Sequence, residues 1–193
     1  DRGPVEVDRS TEASVRDQQT VNASGERLEQ TIEGVLLNTP AVHVDHRGRV
    51  FEFYSGPSAF WAEPIVFGHV SSVRPNAFKG WGLHFYKDDR YTLISGEILV
   101  VLWDSRMNSS TRGVVQRVFL SPDMNRQVLI PAGVWHAMIN LTSVEAFVIN
   151  MPTQPYNHAN PDKVRLARTS PVVPVDLADF FPGQFDILRE HPC

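Results

Sequence analysis

The chain has 193 residues, of which 42% are hydrophobic and 21% charged, with a formal net charge of −4 at pH 7. That length buries a substantial core and fits one domain with appendages, and the negative balance offers no basic field to nucleic acid or anionic lipid. No apolar run reaches the roughly 18 residues of a membrane helix. A single cysteine, Cys193, excludes an intramolecular disulfide and a Cys-built metal site, which fits a cytoplasmic protein.

Residues 1–31 are polar. Val5, Val7, Val15, Val21 and Leu28 are too scattered to form a face, so the stretch reads as a mobile tail with one helical turn near Glu26–Gln30. From Gly34 the texture becomes β-like. Val35–Leu37, Ala41–Val44 and Arg49–Tyr54 are short runs broken at Asn38-Thr-Pro40 and at Asp45-His-Arg-Gly48, where Gly48 is free to take a positive φ. Pro57–Trp61 reads as one helical turn, and Ile65–Phe67 and His69–Val73 as strands. Tyr91–Ile94 and Glu97–Trp103 form a hairpin across Ser95-Gly96, and Ile98–Trp103 is apolar on both faces, which places it centrally in a sheet. Asp104–Gly113 is a polar loop; Val114–Leu120, Gln127–Ile130, Val134–Ile139 and Ala146–Met151 supply four more strands. Strands arriving about every 8–12 residues with turn signals between them describe a sandwich or barrel, not alternating β and α units. After Met151 the chain is Pro-rich and reads as extended segment over the barrel, with a short helix at Leu177–Phe181. The expected plan is a tail over 1–31, a barrel over 32–166 and a C-terminal extension over 167–193.

Two histidines stand on motifs within the barrel. Pro131-Ala-Gly133-Val-Trp-His136 has the spacing P-x-G-x-x-H, a tight turn feeding a strand, and Gly82-Leu-His84 is an upstream G-x-H. Together with the strand lengths they point to a small barrel of the cupin type. On a strand, His84 and Tyr86 share a face, so an inward pair of histidines with a tyrosine forms an acid/base site. Arg90, Lys79, Arg74, Arg47 and Arg106 are candidates to grip a phosphate or carboxylate. Trp81, Tyr86, Trp135 and Tyr156 are candidates to stack on a base or sugar. A metal-binding cupin would supply H-x-H, a following Glu and the second-motif His. Here those positions read His84, Tyr86, Arg90 and His136, and the arginine would repel a cation, so no metal is expected unless His158 or an acidic loop residue completes the set.

The order of these motifs resembles the dTDP-4-dehydrorhamnose 3,5-epimerase family over roughly Gly34 to Leu166. Gly34-Val-Leu-Leu37 is similar to its opening strand, and Asp45-His-Arg-Gly48 followed by Glu52 to its D-x-R-G turn. Gly82-Leu-His84 resembles its R-G-L-H, Ser95-Gly-Glu97 through Asp104-Ser-Arg106 its hairpin, and Ile130-Pro-Ala-Gly-Val-Trp-His136 its I-P-x-G-x-x-H. The resemblance implies an all-β cupin jelly roll and a homodimer acting without metal or organic cofactor on a dTDP-4-keto-6-deoxyhexose. It also implies a histidine that removes the proton beside the ketone, a lysine that holds the enolate and a tyrosine that returns a proton. On this chain the base falls at His84, with His136 and Tyr86 as further catalytic candidates. Arg90, Lys79, Arg47, Glu52, Trp81 and Trp135 are the substrate-binding candidates. The chain departs from the pattern at Trp81 for the arginine before G-L-H, at Asp89 or Arg90 for the lysine, and near Ile149 for the tyrosine. The family's late Asp finds no match, Asp176 and Asp179 being the candidates. The expected activity is epimerisation of a nucleotide-linked keto-sugar. The alternatives are an isomerase or cyclase of another carbonyl metabolite, or a non-catalytic sugar-nucleotide-binding module.

Overall fold

The structure is a computed structural model; it describes residues 19–25, 28 and 30–176, and the backbone alone at 189–190. Most of the expected tail, including the turn near Glu26–Gln30, lies outside the described residues, as does the expected helix at Leu177–Phe181. Among the described residues every element is a strand, and no helix is long and apolar enough to cross a membrane. The strands are β1 (Leu36–Asn38), β2 (Val42–Asp45), β3 (Gly48–Phe51), β4 (His69–Val73), β5 (Ala77–Leu83), β6 (Asp89–Ser95) and β7 (Ile98–Asp104). They continue with β8 (Val115–Leu120), β9 (Gln127–Ile130), β10 (Val134–Asn140), β11 (Ala146–Asn150), β12 (Val164–Arg165) and β13 (Arg189–Glu190). This is the all-β class that the strand spacing implies. The run Ile65–Phe67, expected as a strand, is irregular; it lies just before β4 and has no pairing partner among the described strands.

Two sheets build the body. One has the order β1-β9-β6-β11-β4, the other β12-β5-β10-β7-β8 with β13 also on β5, and β2–β3 form a separate hairpin. The period of two along each strand explains the layering. On β7, Ile98, Val100 and Leu102 enter the core between the sheets, while Leu99, Val101 and Trp103 join a second apolar cluster on the outer face. That two-sided burial is why this strand reads as continuously apolar, and β7 indeed lies between β10 and β8. On β10, Val134 and Met138 face the core, and Trp135, Ala137 and Ile139 face outward. On β6, Tyr91 and Leu93 belong to the core. A third cluster, Phe60, Trp61 and Met151 with Leu129 and Ile149, covers the outside of the five-stranded sheet.

β5 breaks the simple alternation. Its register against β10 shifts between His136 and Met138, the Gly80–Trp81 peptide is cis, and Phe78 and Trp81 both reach the outer cluster. Gly80 is required there. Its φ is +150°, and a Cβ on it would stand 2.6 Å from Ala137 Cα. Gly82 pairs with His136, and His84 follows just past the end of the strand.

Candidate active site

His84 lies one residue past the end of β5, and the loop that carries it is pinned from three sides. Gly133 N–H of the P-x-G-x-x-H turn donates to His84 carbonyl at 2.7 Å. The Asp162 carboxylate accepts from Phe85 N at 2.9 Å and Tyr86 N at 3.1 Å. Asp88 accepts from Ala132 N at 2.9 Å. His136 sits on β10 directly across from Gly82. The two imidazoles stack with centroids 5.8 Å apart at 22°, and Tyr91 meets His136 edge-on.

Each ring is oriented by a backbone carbonyl. His84 Nδ1 lies on the Asp162 carbonyl and His136 Nδ1 on that of Val134. A carbonyl only accepts, so in both rings Nδ1 carries the hydrogen and Nε2 presents a lone pair. Those lone pairs converge on Asp89. Its Oδ2 is 3.5 Å from His84 Nε2 and 3.4 Å from His136 Nε2. The Asn150 amide donates to Asp89 Oδ1 at 2.8 Å, and the Tyr91 hydroxyl to Oδ2 at 3.3 Å. The three groups are 2–6% exposed, and His136 Nε2 has no hydrogen-bond partner among the described residues. Lys163, just before β12, closes on the same place. A Cβ at Gly82 would meet its Cε at 2.6 Å, its Nζ at 3.1 Å and His136 Nε2 at 3.4 Å.

Burial sets the protonation states. It pushes the His136 imidazole down to about 4, with Asp89 opposing and Lys163 and His84 reinforcing. It also lowers His84, against the pull of Asp89 and the Asp162 carbonyl. Both rings are therefore neutral bases at pH 7. Burial pushes the Asp89 carboxyl up, but at the acid pH where it would take a proton the cationic His136 and His84 hold it off. Asn150 and Lys163 help, and the net direction is down. Asp89 raises the buried Tyr91 phenol further above its ordinary range, after desolvation. His69 on β4 feels the same carboxylate, its pKa lowered by burial and pulled back by Asp89.

Of the residues singled out in the sequence, His84 and His136 come together. Tyr86 does not join them. The strand ends at Leu83, so the alternation expected to turn it inward stops, and Tyr86 is 75% exposed. Arg90 points the other way from Asp89. Its guanidinium, over the Trp61 ring, donates to the carbonyls of Met151, Glu63 and Pro64, so it cannot hold a substrate anion in the barrel. Trp81 and Trp135 are in the outer cluster, Trp135 stacked on Trp103, away from the histidines. Lys79 lies against Ser72 carbonyl at 3.5 Å, toward the Val73 end of β4. Arg47 and Glu52 are exposed on and beside the β2–β3 hairpin, and Arg47 pairs with Asp45. Ile149 faces the outer cluster, and the inward residue is its neighbour Asn150. Sequence reasoning missed Asp89, Tyr91, Asn150, Asp162 and Lys163. For Asp89 and Tyr91 the signal was present, because they share parity with Leu93, an apolar residue of the same strand.

Residues 29–177 match the family described as dTDP-4-dehydrorhamnose 3,5-epimerase. The chain belongs to that family. It is 33% identical over 141 residues to the dTDP-4-dehydrorhamnose 3,5-epimerase of Escherichia coli, covering 68% of this chain and 74% of that one. It is 28% identical over 138 residues to a probable low-salt glycan biosynthesis epimerase of Haloferax volcanii, covering 70% and 87%. Among solved structures, a dTDP sugar isomerase from Desulfovibrio desulfuricans superposes with a TM-score of 0.69 at 26% identity, covering 75% of this chain and 91% of that one. A 3'-monoepimerase from Streptomyces bikiniensis in complex with dTDP-quinovose gives 0.66 at 25% identity, covering 76% of each. Membership places the chain among the sugar epimerases, a class of isomerases.

Proposed function

We propose that the chain epimerises a nucleotide-linked 4-keto-6-deoxy sugar at a carbon next to the ketone, with His84 as the base. The observation that carries this reading is the orientation of His84. Its Nδ1–H is spent on the Asp162 carbonyl, which leaves a neutral Nε2 lone pair on the side of the buried Asp89. A neutral imidazole held this way accepts a proton from carbon at neutral pH. Abstraction converts the ketone to an enolate, whose oxygen needs a positive partner. The family's lysine position falls at Asp89 or Arg90 here, neither of them a lysine, and Lys163 brings an ammonium to the site from a different segment, beside Gly82 and His136. Return of a proton from the opposite face inverts the carbon. The bound dTDP-sugar in the Streptomyces bikiniensis enzyme supports the substrate class. A homodimer is part of this proposal. It is supported by the apolar side chains that β2–β3 and β8 leave exposed, Val44, Val50 and Phe119 among them.

The test is deuterium wash-in. The protein is incubated with dTDP-4-keto-6-deoxyglucose in D₂O, and the C3 and C5 protons are followed by NMR beside His84→Ala. Exchange at either carbon that disappears in the variant is the expected result. Wild-type exchange no faster than the variant's would refute the reading for this substrate.

A further inference from the structure

We propose that His69 is the second proton-transfer residue of this site, the acid that serves the face of the substrate carbon opposite to His84. The inference rests on the epimerase reading, which supplies one base and leaves the returning proton without a donor. Strand alternation places the residue. On β4, Val73 belongs to the core and Val70 is exposed on the other face, so His69 and Ser71 share the inward parity of Val73. The pairing with β11 agrees, because His69 stands directly opposite Asn150 and such pairs share a face. Asn150 is the residue whose amide holds Asp89 Oδ1 at 2.8 Å. His69 is thus a neighbour of the group that holds Asp89, and the Lys163 ammonium that acts on His84, Asp89 and His136 acts on His69 as well. The two rings come from different sheets, His84 from the end of β5 and His69 from β4. They therefore approach the space between the sheets from opposite sides.

The other proton carriers near the site are placed differently. The Tyr91 hydroxyl donates to Asp89, is 4% exposed and has its pKa raised by burial, so its proton is committed. Lys163 lies beside Gly82 and His136, and Lys79 is on β5, both on the sheet that carries His84. His69 is exposed where His84, Asp89 and His136 are buried, which lets it trade protons with water. Burial lowers its pKa, and Asp89 acts against that by favouring the protonated ring. The proton balance then closes. His84 Nε2 takes the carbon-bound proton, and the electron pair of that C–H bond passes into the ketone to form the enolate. Protonated His69 gives its proton to the opposite face of the same carbon as the enolate electrons return. His84 is left protonated and His69 neutral; water takes the proton from the first and refills the second.

The test separates exchange from inversion. Full-length wild type and His69→Gln are incubated with dTDP-4-keto-6-deoxyglucose in D₂O, and NMR follows both deuterium entry at C3 and C5 and the appearance of the inverted sugar. In His69→Gln the base still works from its own face, so deuterium should still enter while inversion per exchange falls about a hundredfold. An unchanged ratio, including the equal losses of both that a purely structural role would give, overturns the proposal. A second measurement requires no variant. Substrate deuterated at the reacting carbon and turned over once by wild type in H₂O should give inverted product without the label; label carried into the inverted product overturns it. Wild type that exchanges no deuterium refutes the epimerase reading and this role with it, whereas an unchanged ratio in His69→Gln removes His69 alone.

Discussion

His136 is a base folded into a place without water, and acid should find it. In an unfolded chain a histidine titrates near about 6.5. In the fold, burial pushes His136 down to about 4, with Asp89 opposing and Lys163 and His84 reinforcing. Between those values the unfolded chain binds a proton that the folded chain refuses. Stability from this group is therefore complete above its unfolded pKa and is lost as pH falls toward the folded one. Going from about pH 7.5 to about pH 5 removes roughly 2 kcal/mol through His136 alone, approaching roughly 3 kcal/mol in stronger acid. His84 is lowered by burial as well and adds in the same direction. The assay is urea unfolding at the two pH values, in chelator, for wild type and His136→Gln. Glutamine does not titrate, so the variant should lose roughly 2 kcal/mol less than wild type on acidification. An equal loss in both would refute the claim that His136 is held neutral by its surroundings.

Two further substitutions separate structure from catalysis. Arg90→Met leaves the carbonyls of Met151, Glu63 and Pro64 without their donor and should cost about 2–3 kcal/mol in chemical denaturation, with KM unchanged in the protein that folds. A raised KM with unchanged stability would return Arg90 to the substrate. Gly82→Ala puts a Cβ 2.6 Å from Lys163 Cε, a side-chain end that can swing away. It should leave Tm nearly unchanged and slow deuterium exchange on the order of tenfold to a hundredfold; exchange at the wild-type rate would remove Lys163 from the reacting oxygen.

The barrel was legible because its strands carry their own layering. Ile98–Trp103 announces a central strand by being apolar on both faces, and P-x-G-x-x-H announces a turn that sets His136 at a strand's start. The site was only half legible, for three physical reasons. Tyr86 was assigned by alternation, which holds only while the strand lasts, and β5 stops at Leu83. Arg90 was chosen by counting from a motif, although the parity of Tyr91 and Leu93 selects Asp89 as the inward residue. Asp162 and Lys163 reach the pocket through the pairing of β12 with β5, a contact between distant segments that no local pattern encodes. The outer-face tryptophans show the reverse limit. Trp81 is buried in the outer cluster and Trp135 packs partly buried against it, on the face of the sheet away from the histidines.

Asp162 holds the 84–86 loop with its carboxylate and the His84 ring with its carbonyl, from a position 78 residues further along the chain. The barrel and its C-terminal segment are therefore not interchangeable modules. A recombinant that joins residues up to Met151 to the remainder of a relative would keep both histidines in the sequence and still inherit a foreign side chain where Asp162 holds the 84–86 loop. It would receive a foreign charge at position 163 in the same exchange. Divergence of activity within such a fold can thus accumulate in the segment after Met151, while the strands that bear the histidines keep their sequence.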